Sequence, residues 1–584
     1  MSVKVMNDLP TELLIAILRK VDQQESLKNA ALTCKLWKEL IESSCSWSLS
    51  LDHQNEVGSN EPWLDYMLTT KRKFHKIKIV GLVELGKNRI IDIFRKHGTH
   101  ITKLFVFESC LDRFDLFVEV LKCMPNLEHL ILYEITTPCT VADVPTEDNL
   151  PELLKLKTVE LVESEGSIIK CLNRSKLTEL KVLNYAYKNQ PLSQEPVLDL
   201  FRAQPQIKTL ALRSIDYGAT TLFQTDIMDG TVKFQLNKLS LLDIKLRESP
   251  NDYNNLLKFL KPQAKTIKFL ELGTTFPDLV YEFVFAKFRN LKTLRLMMNE
   301  LPKDIEFYER LEENPSITQL IFMDSPPPNH LNDSCPPSLK EFIRHVPNVT
   351  DLTLLEDTCD RGTLQFIASN LKNLTRLTVA YFNEITFNDL QFPSLKTLCI
   401  DKIEDDVDWE KFSKNNANIT EILIHSGTYA GFSDWLEESC SDFIEKMTKI
   451  LRLEKLVIGS PFRTNEHFYE HIREFGTNLK LIDLHKTCAL SIDIMHGIPG
   501  LRFHDDDFPA PFHTPEFWND EDYDGRLPDI DRGGNWDDGE NFLDPFEMHL
   551  MDIDDYDYEY DQHDDYDGYD DFVDEFDESD FDEY

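Results

Sequence analysis

NLKTLRL, residues 290–296, is the stretch whose reading decides the fold. Leu291, Leu294 and Leu296 hold positions one, four and six of an L-x-x-L-x-L phrase. The last two alternate with a polar residue, Arg295, which is the period of a strand with one face turned inward. The phrase recurs on both sides. Upstream it reads FHKIKI from Phe74, ITKLFV from Ile101, NLEHLIL from Asn126, LKTVEL from Leu156, LTELKV from Leu177, IKTLAL from Ile207, LNKLSL from Leu236 and IKFLEL from Ile267. Downstream come ITQLIF from Ile317, NVTDLTL from Asn348, NLTRLTV from Asn373 and SLKTLCI from Ser394. The series ends with NITEILI from Asn418, LEKLVI from Leu453 and NLKLIDL from Asn478. That makes 16 copies, 21 to 34 residues apart and averaging about 27.

This period and pattern match leucine-rich repeats. Segments between copies carry helical spacing, as in Phe114, Phe117, Val118, Leu121 and Met124. Each unit then reads as a strand with a return helix, and its apolar face is covered only by stacking on neighbours. The expected fold class is α/β: a curved parallel sheet with outer helices over residues 70–503. Sixteen copies of one phrase argue against an ordinary α/β domain. Residues 136–151 and 325–338 (SPPPNHLNDSCPPS) read as loop insertions, because proline blocks both helix and central strand.

Residues 9–40, LPTELLIAILRKVDQQESLKNAALTCKLWKEL, precede the array. Leu13, Leu14, Ile17, Leu18 and Val21 fall at helical spacing after Pro10, which suits a first turn, and Glu12 complements the helix dipole there. A second apolar set runs through Leu27, Ala31, Leu32, Cys34 and Trp37. The order Leu-Pro-x-Glu-Leu-Leu, Ile-Leu, Val-Asp, then Cys and Trp resembles an F-box; Thr33 stands where many F-boxes carry an aliphatic residue. A segment this short buries too little surface to fold robustly alone. The plainer alternative is a small helical cap on the domain that follows.

With the repeats, the chain resembles the F-box and leucine-rich repeat family over residues 6–503. The resemblance implies an F-box at 6–50 that docks on the Skp-type adaptor of a cullin ubiquitin ligase. The residues it assigns to docking are Leu9, Pro10, Leu13, Leu14, Ile17, Leu18, Val21, Leu27, Leu32, Cys34 and Trp37. It also implies that the repeats hold a substrate protein for ubiquitination, and that other ligase components carry the covalent chemistry. The chain's part is then proximity, which raises the effective concentration of substrate lysines. Two other readings stay open: a non-degradative scaffold that still binds the adaptor, and a nuclear regulatory protein acting through its tail.

Positions between and just after the inward leucines should face the concave groove, where a partner is read. An apolar cluster is expected from Phe105, Phe107, Ile131 and Tyr133, with Ile321 and Met323 further along. A basic stripe is expected from Lys208, Arg213, Lys238, Lys268, Lys292 and Arg295, which suits an acidic ligand.

Charge is concentrated at one end. Residues 505–584 hold 33 acids against two arginines, so the tail accounts for −31 of the net −41. It also holds 17 aromatic residues. Like-charge density of this kind defeats compaction, so the tail is expected to be disordered, able to bind a basic partner or simply to solubilise. Direct nucleic-acid binding is not expected of so acidic a chain. No apolar run is long enough to span a bilayer, and no signal peptide is legible. The 11 cysteines are odd in number, are scattered, and form no C-x-x-C, as expected of free thiols in the cytosol or nucleus.

The matches to N-x-S/T at Asn348, Asn373 and Asn418 lead into strands and read as chance. Common nucleotide and hydrolase signatures are absent from the sequence, and no cofactor, catalytic residue or metal is expected. His467 and His471 lie four apart and read as a solvated helix face. One prediction belongs to the tail. If it competes electrostatically for the basic stripe, truncation near residue 504 strengthens partner binding at low salt, and added salt removes the difference. Equal affinity of the two forms would remove the idea.

Overall fold

The computed structural model describes residues 9–21, 24–52, 66–81, 90–110, 114–136, 149–162, 164, 166–183, 194–213, 234–242, 244, 250–273, 276–297, 301–302, 304–323, 337–354, 361–382, 389–403, 408–424, 452–458, 480–485 and 501–504. The acidic tail, the His467/His471 pair and most of the two proposed insertions lie outside them.

Three helices open the described chain: α1 (Thr11–Leu18), α2 (Gln24–Thr33) and α3 (Lys35–Ser44). Eighteen strands follow. They are β1 (Ser46–Asp52), β2 (Lys73–Val80), β3 (Lys103–Phe107), β4 (His129–Tyr133), β5 (Thr158–Val162), β6 (Glu179–Leu183), β7 (Thr209–Arg213), β8 (Lys238–Leu242) and β9 (Phe269–Gly273). The rest are β10 (Thr293–Met297), β11 (Gln319–Met323), β12 (Asp351–Leu354), β13 (Arg376–Phe382), β14 (Thr397–Ile403), β15 (Glu421–Ile424), β16 (Lys455–Ile458), β17 (Leu481–His485) and β18 (Leu501–His504). Every strand pairs in parallel with the one before it, from β1–β2 through β17–β18. This is a leucine-rich-repeat solenoid. The 16 phrases read from the sequence fall on β2 to β17.

The register explains the phrase. Leu210, Leu239, Leu270, Leu294, Leu320 and Leu352 stand opposite one another on successive strands, all buried. Leu212, Leu241, Leu272, Leu296, Phe322 and Leu354 form the next row in. Helices such as Phe114–Lys122, between β3 and β4, and Asp278–Lys287, between β9 and β10, add Phe117, Val118 and Leu121, or Val280, Val284 and Phe285, to the same core. Strand and helix side chains belong to one continuous core. Each such side chain adds about 1.5–3 kcal/mol by leaving water.

Buried amides stitch several turns to the one before. Asn416 donates to the carbonyl of Leu390 at 3.0 Å and accepts from the N–H of Phe392 at 2.7 Å. Gln263 does the same for Phe234 and Leu236, and Gln204 accepts from Leu177. The asparagine that precedes several phrases has a like role at the surface. Asn126, Asn290, Asn348 and Asn418 donate to the turn carbonyls of Thr99, Lys265, Pro315 and Pro393. Replacing Asn416 with leucine keeps the volume but strands the Phe392 N–H. The expected loss is about 1–3 kcal/mol of stability, read as a lower denaturant midpoint, whereas Asn418→Ala at an exposed turn should cost less.

Candidate functional site

The first candidate surface lies on α1–α3. Pro10 sits just before the first turn of α1, one place earlier than expected, and its carbonyl accepts from Leu13 and Leu14 N–H at 2.9 and 3.1 Å. Helical spacing then splits the apolar residues into two faces. Leu14, Leu18 and Leu27 turn inward, together with Leu40 and Ile41. Val21, Cys34 and Trp37 are half-buried. The outward set is apolar as well: Leu9 is 37% exposed, Leu13 53%, Ile17 39%, Leu32 83% and Leu36 42%. Leucine and isoleucine this exposed, on and just before three short helices, leave apolar area of the kind that soluble surfaces keep small.

Of the 11 residues assigned to adaptor docking, Leu14, Leu18 and Leu27 therefore face the chain's own core and can act on a partner only by holding the helices in place. Leu9, Pro10, Leu13, Ile17 and Leu32 are presented outward. Leu36 escaped the sequence reading because it falls in the first turn of α3, just past the break at Cys34.

These helices share a core with the repeats. α3 runs through Cys45 directly into β1, so the sheet starts at Ser46, within the residues assigned to the F-box. Trp47 on β1 is buried, with its indole N–H 3.4 Å from the Ile41 carbonyl. The Arg72 guanidinium lies 4.4 Å over the Trp47 ring and 3.9 Å from the Glu42 carboxylate, a cation–π contact backed by charge. Arg19 donates to the Ser44 carbonyl at 3.0 Å and ties α1 to the end of α3.

The second candidate surface is the sheet face turned away from the described helices. Register brings Phe105 opposite Ile131 and Phe107 opposite Tyr133. Phe105 and Phe107 stack at 6.5 Å, and Phe107 lies 5.8 Å from Tyr133. The sequence reading took this group as exposed. In the structure Phe105, Ile131 and Tyr133 are buried and Phe107 half-buried. Parallel strands about 4.8 Å apart press these rings together, and the ammonium groups of Lys76 and Lys78 lie 4.9 Å over Phe105 and Phe107. Ile321 is half-buried beside Arg295, and Met323 stands opposite Met297 on β10.

The basic residues do not form one stripe. Lys208, Lys268 and Lys292 occupy the second position of their phrases, in the turns before the strands, and are exposed. Lys238 and Arg213 sit at the two ends of their strands and are half-buried. Arg295 is buried in mid-strand, its Nε 3.0 Å from the Glu271 carboxylate, which also accepts from the Ser240 hydroxyl. Glu160 and Lys181 make a similar pair at 3.3 Å. Sequence reasoning missed both carboxylates because neither neighbours its cation along the chain; only the register unites them.

Further along the same face, Thr293 donates to Gln319, which donates to Asp351. Burial pushes the Asp351 carboxyl up, against the pull of Arg376. Arg376 points in turn at the Cys399 sulfur, 3.6 Å away, in a thiol that burial also pushes up. Cys399, Leu423 and Val457 continue the row as a small apolar cluster of their own.

Comparison with known proteins fits the N-terminal geometry. The F-box-like family model matches residues 6–48. No curated protein matches the chain. A solved structure, described as a crystal structure of a TLR13–ssRNA13 complex, is 14% identical over 78% of this chain and 72% of that one, with a TM-score of 0.36.

The buried pair on β9 and β10 gives a clean test of the sheet face. Arg295→Met leaves the Glu271 carboxylate buried without its cation, and a loss of about 3–5 kcal/mol is expected. The double variant Glu271→Leu with Arg295→Met should recover most of it in urea unfolding, because no stranded charge remains. Taken together, its helices, its strands and the family match show that the chain joins an F-box-like domain to a leucine-rich-repeat solenoid.

Proposed function

We propose that the chain is the substrate-recognition subunit of a Skp–cullin–F-box ubiquitin ligase, docking on the adaptor through α1–α3 and holding a target protein on its repeats. The observation that carries this reading is the outward apolar set Leu9, Leu13, Ile17, Leu32 and Leu36 on an F-box-like domain. F-box domains generally bind Skp-type adaptors, and a patch of this kind is removed from water by a partner's groove. The shared core behind it supports a stiff connection between the adaptor end and the target end. Stiffness matters for a protein whose contribution is position, since proximity raises rates only when the bound geometry is held.

The cytosol or nucleus is the compartment we favour. The described cysteines Cys34, Cys45, Cys110, Cys123, Cys171 and Cys399 are free thiols, which suits a reducing environment.

Leu13→Glu with Ile17→Glu puts charge on the outward face while sparing Leu14 and Leu18 in the core. Capture of the chain by purified Skp-type adaptor should weaken at least about a hundredfold, since each residue is worth about 1.5–3 kcal/mol when buried. The thermal midpoint should hardly move. Leu279→Glu, at an equally exposed leucine on a repeat helix, serves as the control. Undiminished capture by the double variant removes the docking assignment. Reconstituted ubiquitination of co-purified proteins then separates a ligase subunit from a scaffold.

A further inference from the structure

The turns leading into β5–β10 form a basic ridge along one edge of the sheet. Residues 153–157, 173–178, 204–208, 234–237, 264–268 and 288–292 include nine lysines and arginines and no aspartate or glutamate. The end members are matched by acids from just outside or beside the ridge. Lys157 meets Glu128 at 2.8 Å, Arg174 meets Glu152 at 3.8 Å, and Arg289 pairs with Glu312. Lys155 adds its charge to the same Glu128 carboxylate. Lys176, Lys208, Lys265, Lys268 and Lys292 are exposed, with no carboxylate in ion-pair reach among the described residues. Outside its tail the chain is mildly acidic, so five lysines on one edge with no acid beside them among the described residues are a local reversal of sign.

The backbone fixes their spacing. The Thr178 carbonyl accepts from Lys208 N–H at 2.8 Å, that of Lys208 from Asn237 at 2.7 Å, and those of Asn237 and Lys268 from Lys268 and Lys292 at 2.8 Å each. Successive turns thus stand at strand spacing, about 4.8 Å apart, with the lysine-free turn of Asn237 between Lys208 and Lys268. Five such steps span about 24 Å, which an extended peptide crosses in about seven residues. A second observation marks one end: Leu154, in the β5 turn, is 55% exposed.

We propose that this ridge binds an acidic polypeptide segment, laid out in extended form across the turns of β5–β10, with one bulky apolar side chain at the Leu154 end. Lysine suits carboxylates that arrive as separate point charges, without the fixed fork that arginine demands. A nucleic-acid strand fits less well. The exposed large apolar side chains among the described residues are aliphatic, offering no ring for a base to stack on. The ridge is separate from the outward face of α1–α3, so the inference stands whether or not the adaptor reading does.

The test uses the full chain, without adaptor, and a fluorescent peptide of about eight Glu and Asp residues containing one leucine. Anisotropy should report binding that weakens as salt rises through the range where the screening length falls below about 10 Å. Lys208→Glu, Lys268→Glu and Lys292→Glu together should weaken it at least about tenfold. The neutral set Lys208→Gln, Lys268→Gln and Lys292→Gln should fall between, with an unchanged thermal midpoint. Lys372→Glu with Lys396→Glu, beyond the ridge, should change nothing. Leu154→Ser should weaken only the leucine-containing peptide. The proposal is overturned if the reversed variant binds as the parent does, or if a single-stranded oligonucleotide of equal charge binds the parent more tightly than the peptide. The Leu13→Glu, Ile17→Glu chain must bind the peptide normally, which keeps this outcome distinct from loss of adaptor docking.

Discussion

Parallel register is the constraint on which everything else rests. Because each strand meets its predecessor without slipping along β2–β12, positions four and six always land on their counterparts, and the core is two aliphatic rows rather than a set of separate contacts. A slip of one residue would turn both rows outward and bring charged neighbours in. The same constraint governs the opposite face. Glu271 meets Arg295, and Glu160 meets Lys181, only because β9 lies against β10 and β5 against β6 in this register.

That core does not stop at the first repeat. Leu14, Leu18, Leu27, Ile41 and Trp47 join Phe74, Ile77 and the repeat leucines in one cluster. The cap reading and the F-box reading of the N-terminal segment are therefore compatible. The inward face of α1–α3 seals the end of the solenoid, where a bare first strand would expose both an unpaired edge and an apolar row. The outward face of the same helices keeps its own apolar set, which is the face the proposed docking uses.

Much of this was legible in the residues. Strand positions, the helical return at Phe114–Lys122 and the F-box-like segment follow from patterns that physics makes local: alternation, helical period and a proline start. What could not be read was which side chains the register would bury. Phe105 and Ile131 looked available because nothing near them in the chain covers them, yet strands more than 20 residues away do. Arg295 looked like part of a stripe with Lys268 and Lys292, but it stands in mid-strand while they stand in turns. Leu14 and Leu13 are adjacent and alike, and only the packed helix tells the inward one from the outward. The acidic ridge partner inferred above came from the reverse situation, residues of one sign scattered in sequence and gathered by stacking.

The turn amides give the solenoid a grain. Asn126, Asn290, Asn348 and Asn418 each reach back toward the amino end, to a carbonyl of the unit already in place. As the chain emerges during synthesis, each of these four units arrives carrying the donor that finishes its elder, so assembly there can proceed in the order of translation. Damage travels the other way: a unit lost from the carboxyl side leaves its predecessor's turn open to water, while the capped amino end keeps its seal.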